Sequence, residues 1–244
     1  MTNDALGARM KMYEARETDR RAMPRLPLYA RIDGRSFSRF TADFKKPFDE
    51  DFATCMLETT KYLAHEFGSI IAFTQSDEIN LAWVPNKPER DLPCAGRLFK
   101  LTSLLASTAT IKFNQLASEY WFETCDEFLP TFDCRVFTLP TVDELANLFL
   151  WRVFDATKNA VNAASSQVFS TSELHGKSNY ERIGMLADKG IIFSDYPPTF
   201  RRGAFIRNGK ILRVPLFSKV TNRPDFILGA DPLQEEQEDD LQPA

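Results

Sequence analysis

The order of apolar patterns along residues 28–139 is the feature that most limits what this chain can fold into. Residues 28–33 alternate between apolar and polar side chains, which predicts a half-buried strand. The patterns that follow are a helix, two strands of a hairpin, a second helix and a fourth strand, at 47–67, 70–75, 79–84, 96–122 and 132–139. This order predicts a mixed α/β (α+β) fold built on a ferredoxin-like β-α-β-β-α-β unit.

The pattern changes after Pro140. Thr141 and Glu144 have the spacing of a capping box, so we expect a long helix to begin there. Further helices and short strands are expected beyond it. The chain is therefore predicted to divide into a core with an N-terminal helix, a C-terminal extension and an acidic tail, at 1–140, 141–230 and 231–244.

The acidic tail hides the charge of the remaining chain. The net charge is −4, but the last 14 residues contribute −6, which leaves +2 for residues 1–230. We expect the tail to be solvated and disordered. Because residues 1–230 are nearly neutral, the protein can bind RNA through local basic patches.

Cysteine spacing and hydropathy exclude two classes of protein. The four cysteines form no C-x-x-C pair, and the two histidines do not complete a ligand motif with them, which argues against a zinc site. No apolar run approaches the length that crosses a bilayer. The polar N-terminus resembles no targeting peptide, so a cytoplasmic protein without a membrane partner is expected.

Two acidic segments lie where predicted strands end. Asp33 closes the first strand, and Asp77 and Glu78 lie in the turn between the second and third. The first and third strands of a ferredoxin-like unit are neighbours, so we expect Asp33 and Asp77 to meet. Carboxylates this close repel each other unless they share a cation, and Mg²⁺ prefers such oxygen ligands together with substrate phosphates. The alternative is that both are ordinary turn residues.

The residues after Asp33 suit a phosphate. Gly34 lets the backbone approach a ligand closely, and the amides of Arg35, Ser36 and Phe37 could form an anion-binding nest. Basic side chains surround this turn: Arg31, Arg35, Lys45 and Lys46. Their alternative role is that of solvated surface charges.

The C-terminal half offers a second set of polar candidates. Polar side chains recur at helical spacing on the predicted long helix, at Arg152, Asp155, Asn159 and Asn162. This stripe is either an exposed face or a surface turned toward a nucleotide or RNA. The basic side chains beyond it suit phosphate contacts or a solvated surface: Lys177, Arg201, Arg202, Arg207, Lys210 and Arg213.

The segment Arg31-Ile32-Asp33-Gly34-Arg35-Ser36-Phe37, followed by Lys46-Pro47 and Gln75-Ser76-Asp77-Glu78, closely resembles the tRNA(His) guanylyltransferase superfamily. Members of this superfamily add nucleotides to RNA in the 3′-to-5′ direction. The resemblance continues in Phe132-Asp133-Cys134-Arg135-Val136, in Trp151-Arg152 and in residues 175–202. It covers roughly residues 6–215.

This resemblance implies a polymerase palm in which Asp33, the Gly34 carbonyl and Asp77 hold two Mg²⁺ ions. Glu78 would be a third catalytic carboxylate close to the metals. ATP, GTP or another NTP would contact the nucleotide-binding set Asp33, Gly34, Arg35, Ser36, Phe37, Ser38, Lys46, Ser76 and Asp77. RNA or a second nucleotide would contact the set Arg31, Arg152, Asn159, Lys177, Arg201 and Arg202. The family commonly forms tetramers, so a homotetramer is expected.

Three departures from the family pattern narrow the expected function. Thr157 stands where members that modify histidine tRNA carry a histidine, Cys134 replaces a glycine, and Ser38 replaces another histidine. These differences resemble the guanylyltransferase-like branch, whose members repair the 5′ end of tRNA or tRNA-like RNA. The alternatives are a nucleotide cyclase-like palm enzyme and a non-catalytic module that binds RNA or nucleotides.

Overall fold

A computed structural model describes residues 3–85, 92–121, 128–212 and 217–230, and the strands in these ranges form one six-stranded antiparallel sheet. The strands are β1 (Leu28–Arg35), β2 (Ile71–Gln75), β3 (Glu78–Trp83), β4 (Thr131–Thr138), β5 (Ala204–Arg207) and β6 (Lys210–Leu212). Their order is β4-β1-β3-β2-β5-β6. The first four follow the order of a ferredoxin-like unit, which confirms the predicted fold.

The helices of the described residues are α1 (Asn3–Thr18), α2 (Phe37–Phe40), α3 (Glu50–Glu66), α4 (Leu98–Tyr120), α5 (Val142–Ser165), α6 (Thr171–Leu174), α7 (Asn179–Asp188), α8 (Pro198–Arg202) and α9 (Arg223–Leu228). Side chains cap the long ones. The Asp49 carboxylate accepts from the Phe52 amide at 2.9 Å, and the Thr141 hydroxyl accepts from the Glu144 amide at 3.1 Å. The predicted end of the second long helix at 122 and the acidic tail lie outside the described residues.

Helices cover both faces of the sheet. Leu28, Ala30 and Ile32 pack under α3 and α4, in a core that is rich in phenylalanine. Tyr29 and Phe73 point the other way and pack with α5 and α9. The start of β1 is therefore buried on both faces, whereas its alternating pattern predicted a half-buried strand. Only the end of β1, near Asp33, opens to solvent, and the functional candidates lie there.

The sheet continues into the C-terminal part of the chain. β5 pairs with β2, with Phe205 opposite Phe73 and their rings 4.9 Å apart between centroids. This pairing occupies the backbone groups of what would otherwise be an exposed edge strand. The predicted boundary between 140 and 141 falls in the loop before α5, and strands from both sides of it share the sheet.

None of the helices in the described ranges combines the length and the apolar character that crossing a bilayer requires.

Candidate functional site

Asp33 and Asp77 meet at one end of the sheet. Asp33 lies opposite Glu78 in the β1–β3 register, and the Gly34 amide donates to the Asp77 carbonyl at 3.0 Å. Both aspartates line a cavity of about 540 Å³ between the sheet, α3 and α5. Burial raises the pKa of the Asp77 carboxyl above its usual value, and the nearby charge of Asp33 raises it further. A cation would relieve this repulsion.

The donor set fits Mg²⁺ shared with a phosphate ligand. In the described part of the chain, no three His, Cys, Asp or Glu side chains converge as a metal cluster. The cavity instead offers two carboxylates, Asp33 and Asp77, beside the backbone of Gly34. Mg²⁺ is usually bound in this way, through one or two carboxylates together with substrate phosphates and water.

Glycine is required at position 34 because two side chains lie too close to its Cα atom to leave room for a Cβ atom. A Cβ atom at this position would lie 2.4 Å from Cδ2 of Phe37 and 2.8 Å from Cβ of Asp77. The sequence predicts glycine here because a phosphate approaches the backbone. The structure adds a second, steric reason for glycine at this position. Ser36 and Ser76, on either side of this contact, have positive φ angles of 62° and 51°, so the tight backbone involves both turns.

We expect Gly34→Ala to lower the free energy of unfolding by about 1–3 kcal/mol, because the added methyl group displaces Phe37 or Asp77. The matched control is Gly184→Ala inside α7, where a Cβ atom meets nothing within 4 Å. This control should raise stability by about 0.5–1 kcal/mol, since alanine favours a helix over glycine. Urea denaturation measures both. Equal effects of the two substitutions would contradict the steric role of Gly34.

Glu78 is held by a buried arginine. Nε of Arg152 donates to one carboxylate oxygen of Glu78 at 2.7 Å, and Nη2 donates to the other at 2.6 Å. Asn80 also donates to Glu78 at 2.9 Å, and the Tyr29 hydroxyl donates to the Asn80 side chain. Burial raises the pKa of Tyr29 well above its usual value, so the hydroxyl stays a donor. Both carboxylate oxygens of Glu78 are therefore engaged within the protein.

The polar stripe of α5 faces the cavity. Arg152, Asp155, Asn159 and Asn162 all contribute to its wall. The side chain of Arg152 is 9% exposed and also contacts Asp155 at 3.0 Å. Arg152 is predicted to contact RNA or a second nucleotide, but in the structure it forms ion pairs within the protein. Thr157 lies outside the wall, and its hydroxyl donates to the Val153 carbonyl.

Some of the predicted nucleotide-binding residues line the cavity, and others lie at the turn after β1. Lys46 and Ser76 line the cavity, and the Lys46 amine donates to the Thr41 carbonyl at 2.5 Å. Arg35, Ser36 and Ser38 are exposed at the turn after β1. The ring of Phe37 is buried among Phe40, Phe113 and Phe132, so this ring cannot contact a ligand in the cavity.

Four predicted basic contacts lie outside the cavity wall: Arg31, Lys177, Arg201 and Arg202. Lys177 is 3.7 Å from Glu181, and Nε of Arg201 donates to the Tyr196 carbonyl at 2.7 Å. Sequence reasoning missed the aromatic end of the cavity, where the rings of Phe48 and Phe200 lie 5.4 Å apart. The only sequence signal for it is the position of Phe48 directly after Lys46-Pro47.

Known proteins resemble this chain in sequence and in structure. The family model described as tRNAHis guanylyltransferase matches residues 7–140. A solved structure of a bacterial tRNA(His) guanylyltransferase (Thg1)-like protein in complex with ATP is 32% identical, covers 92% of this chain and 98% of its own, and superposes with a TM-score of 0.84. A second solved structure, of a bacterial tRNA(His) guanylyltransferase (Thg1)-like protein in complex with GTP, is 33% identical, covers 85% of this chain and 86% of its own, and has a TM-score of 0.70. A probable tRNA(His) guanylyltransferase of Dictyostelium discoideum is 29% identical over 73% of this chain and 74% of its own.

Proposed function

The chain belongs to the tRNAHis guanylyltransferase family of nucleotidyltransferases, and from this premise we propose that it is a Mg²⁺-dependent 3′–5′ nucleotidyltransferase that repairs the 5′ end of tRNA or tRNA-like RNA. The resemblance predicted from the segments around Asp33 and Asp77 is thereby confirmed. The observation that carries the proposal is the meeting of these two carboxylates in one cavity.

Two Mg²⁺ ions would be held by Asp33, the Gly34 carbonyl and Asp77. Bound Mg²⁺ would lower the pKa of the attacking hydroxyl and neutralise charge on the leaving group. The contribution of the protein is to hold the two reacting ends in place and to stabilise charge. In this proposal Glu78 and Arg152 act by fixing the turn that carries Asp77.

The cavity has a suitable size and polarity for one nucleoside triphosphate, ATP or GTP among them. Lys46 and the backbone of residues 35–38 would contact its phosphates, and Ser76 would contact it from the opposite turn. Phe48 and Phe200 provide aromatic surface for a base at the far end. The ATP-bound and GTP-bound structures of the bacterial relatives support this assignment.

The reaction requires no side-chain nucleophile. The RNA 5′ phosphate is first activated: either an oxygen of the 5′-monophosphate attacks the α-phosphorus of ATP, which forms an adenylylated 5′ end and releases pyrophosphate, or the RNA already carries a 5′-triphosphate. The 3′-hydroxyl oxygen of the bound NTP then attacks the activated 5′ phosphorus and forms a new phosphodiester bond. The bond from that phosphorus to AMP or pyrophosphate breaks, the AMP or pyrophosphate leaves, and the proton of the attacking hydroxyl passes to water. Asn159, which lies on the cavity wall, would contact RNA or a second nucleotide.

The two parts of the chain would have different roles. Residues 1–140 would carry the reactive carboxylates, and residues 141–230 would add contacts to the nucleotide and to RNA, with Lys177, Arg201 and Arg202 as peripheral phosphate contacts. We further propose that the protein acts in the cytoplasm as a homotetramer, as the family resemblance implies. Light scattering after size-exclusion chromatography tests the oligomeric state.

We expect the protein to extend a 5′-monophosphorylated tRNA that lacks one 5′ nucleotide, in the presence of Mg²⁺ and ATP. Each NTP is offered separately, and sequencing of the extended 5′ ends identifies what was added and whether it pairs with the opposite strand. A reaction without RNA serves as the control. A cyclic product from ATP or GTP alone, or no extension with any NTP, would contradict the proposed function.

A further inference from the structure

Arg182 fixes the orientation of a side-chain amide on the cavity wall. Asn162 contributes to this wall, and Nη1 of Arg182 donates to its Oδ1 atom at 2.7 Å. A guanidinium has donors and no acceptor, so it can face only the oxygen of the amide. In the ranges that the structure describes, no group of the protein accepts from the amino group of Asn162. Its two N–H donors are therefore left for solvent or a ligand.

The guanidinium of Arg182 is itself held in place. Nε donates to the Lys177 carbonyl at 3.1 Å, and Nη2 donates to the Leu174 carbonyl at 3.0 Å. Together with Asn162, these acceptors come from α5, α6 and the loop that follows α6. Because a guanidinium is a rigid planar fork, contacts with three separate segments fix its plane. The Asn162 oxygen cannot turn into the cavity without losing a charged donor.

Asn162 lies at the end of the cavity away from the acidic turn. Asp155, Asn159 and Asn162 follow one another at helical spacing on α5, and all three line the cavity. Asp155 contacts Arg152 beside the acidic turn, and Asn162 is two helical turns further along, about 10 Å at the rise of an α-helix. α5 also packs against α8, which carries Phe200. A nucleotide whose phosphates lie near the carboxylates would therefore bring its base to Asn162.

The donors of Asn162 match one purine and mismatch the other. Guanine presents two neighbouring acceptors, N7 and O6, whereas adenine presents the acceptor N7 beside the donor N6. An asparagine amide that is free to turn pairs with adenine, because it offers one donor and one acceptor. With its oxygen bound to Arg182, Asn162 offers donors alone. An adenine at this position would set its N6 donor against the donors of Asn162.

We propose that Asn162, positioned by Arg182, determines which base the cavity prefers, so that a 6-oxopurine such as guanine is favoured over a 6-aminopurine such as adenine. Asn162 donates to O6 or N7 of the base, and Arg182 prevents the amide from turning round to accept from N6. This inference rests on the proposed function, in which one NTP occupies the cavity, and it names the class of base that the cavity prefers.

The test measures the binding of four purine nucleoside triphosphates in the presence of Mg²⁺ and without RNA, so that no transfer follows. GTP and inosine triphosphate share O6 and N7. ATP carries an amino group in place of O6, and the triphosphate of 2-aminopurine riboside keeps the 2-amino group of guanine but lacks O6. Isothermal titration calorimetry should give a Kd about tenfold lower for GTP and inosine triphosphate than for the other two.

Substitutions at Asn162 should remove or invert this preference. Asn162→Ala should bind all four nucleotides with similar Kd values, because no donor to O6 or N7 is left. Asn162→Asp should prefer ATP, because one carboxylate oxygen pairs with Arg182 and the other accepts from the 6-amino group. A merely structural role of Asn162 would not produce this inversion.

Substitutions at Arg182 test its positioning role. Arg182→Met should let the amide turn, so the Kd for ATP should fall to about that for GTP. Arg182→Lys keeps a cationic donor beside the amide oxygen and should keep the preference. The matched control is Asn147→Ala, because Asn147 is an exposed asparagine of α5 that lies outside the cavity wall and donates to Glu144 at 3.0 Å. This control should bind all four nucleotides as the wild type does.

The outcomes separate this inference from the proposed function. A preference that survives Asn162→Ala would overturn the inference, as would equal weakening of all four nucleotides, which would place Asn162 on the ribose or a phosphate. If the wild type binds the four nucleotides equally and still extends RNA, the inference is wrong and the proposed reaction stands. If the preference depends on Asn162 but no RNA is extended, the inference stands and the proposed reaction is wrong. Absence of binding by all four nucleotides would contradict both.

Discussion

Asp33→Asn and Asp77→Asn each lower the rate of nucleotide addition by about 10³-fold or more, while the protein stays folded. Replacement of a residue that merely supports a metal ligand typically lowers metal affinity or activity 10- to 100-fold. Replacement of a ligand itself should therefore lower the rate further. The fold should tolerate both changes. At neutral pH the charged Asp77 carboxylate is disfavoured by burial and by Asp33, and a neutral amide removes that penalty.

The rate is measured at saturating NTP and RNA over a range of Mg²⁺ concentrations, and urea denaturation checks the fold. Asp188→Asn is the control, because Asp188 is an exposed aspartate in the last turn of α7, away from the cavity. It should keep the wild-type rate. Wild-type rates in either Asp33→Asn or Asp77→Asn would show that the two carboxylates do not form the reactive centre.

Arg152→Met lowers the free energy of unfolding by about 3 kcal/mol. The Glu78 and Arg152 side chains are only 13% and 9% exposed, and removal of one partner of a buried pair leaves an uncompensated charge. The remaining donor to Glu78 is the neutral amide of Asn80, which cannot replace a bidentate guanidinium. Urea or thermal denaturation measures the loss.

The double substitution Glu78→Gln with Arg152→Met separates charge burial from packing. It removes both charges and keeps an amide oxygen for Asn80, so it should recover most of the stability that Arg152→Met loses. Both the single and the double variant should add nucleotides more slowly than the wild type, because the turn that carries Asp77 has lost its bidentate anchor. A double variant as unstable as the single one would mean that packing, not charge, explains the effect.

Local patterns predicted the secondary structure well because each long element carries its own signals. Asp49 and Thr141 cap the two helices that the sequence places at 47–67 and after 140. The alternation over residues 28–33 indicated a strand with Asp33 at its end. The short-range chemistry of caps and of apolar periodicity is enough to specify such elements.

Contacts between distant segments could not be predicted in this way. Glu78 and Arg152 are 74 residues apart. The local sequence around one residue does not indicate that the other is its partner. The polar stripe and the family resemblance predict that Arg152 contacts RNA or a second nucleotide, whereas in the structure it is paired with Glu78. The joining of β5 to β2 was also missed, because a strand of four residues has too short a pattern to indicate which edge it will extend.

The sequence by itself determined the strand and helix order, the family, and the two acidic segments, since these depend on residue type and spacing along the chain. The tertiary structure decided which carboxylates share a cavity and which one is tied to an arginine. It also decided that Arg31 of β1 lies directly opposite Arg135 of β4. Strand register and helix packing set these distances, and both arise from the burial of the two cores rather than from any local pattern.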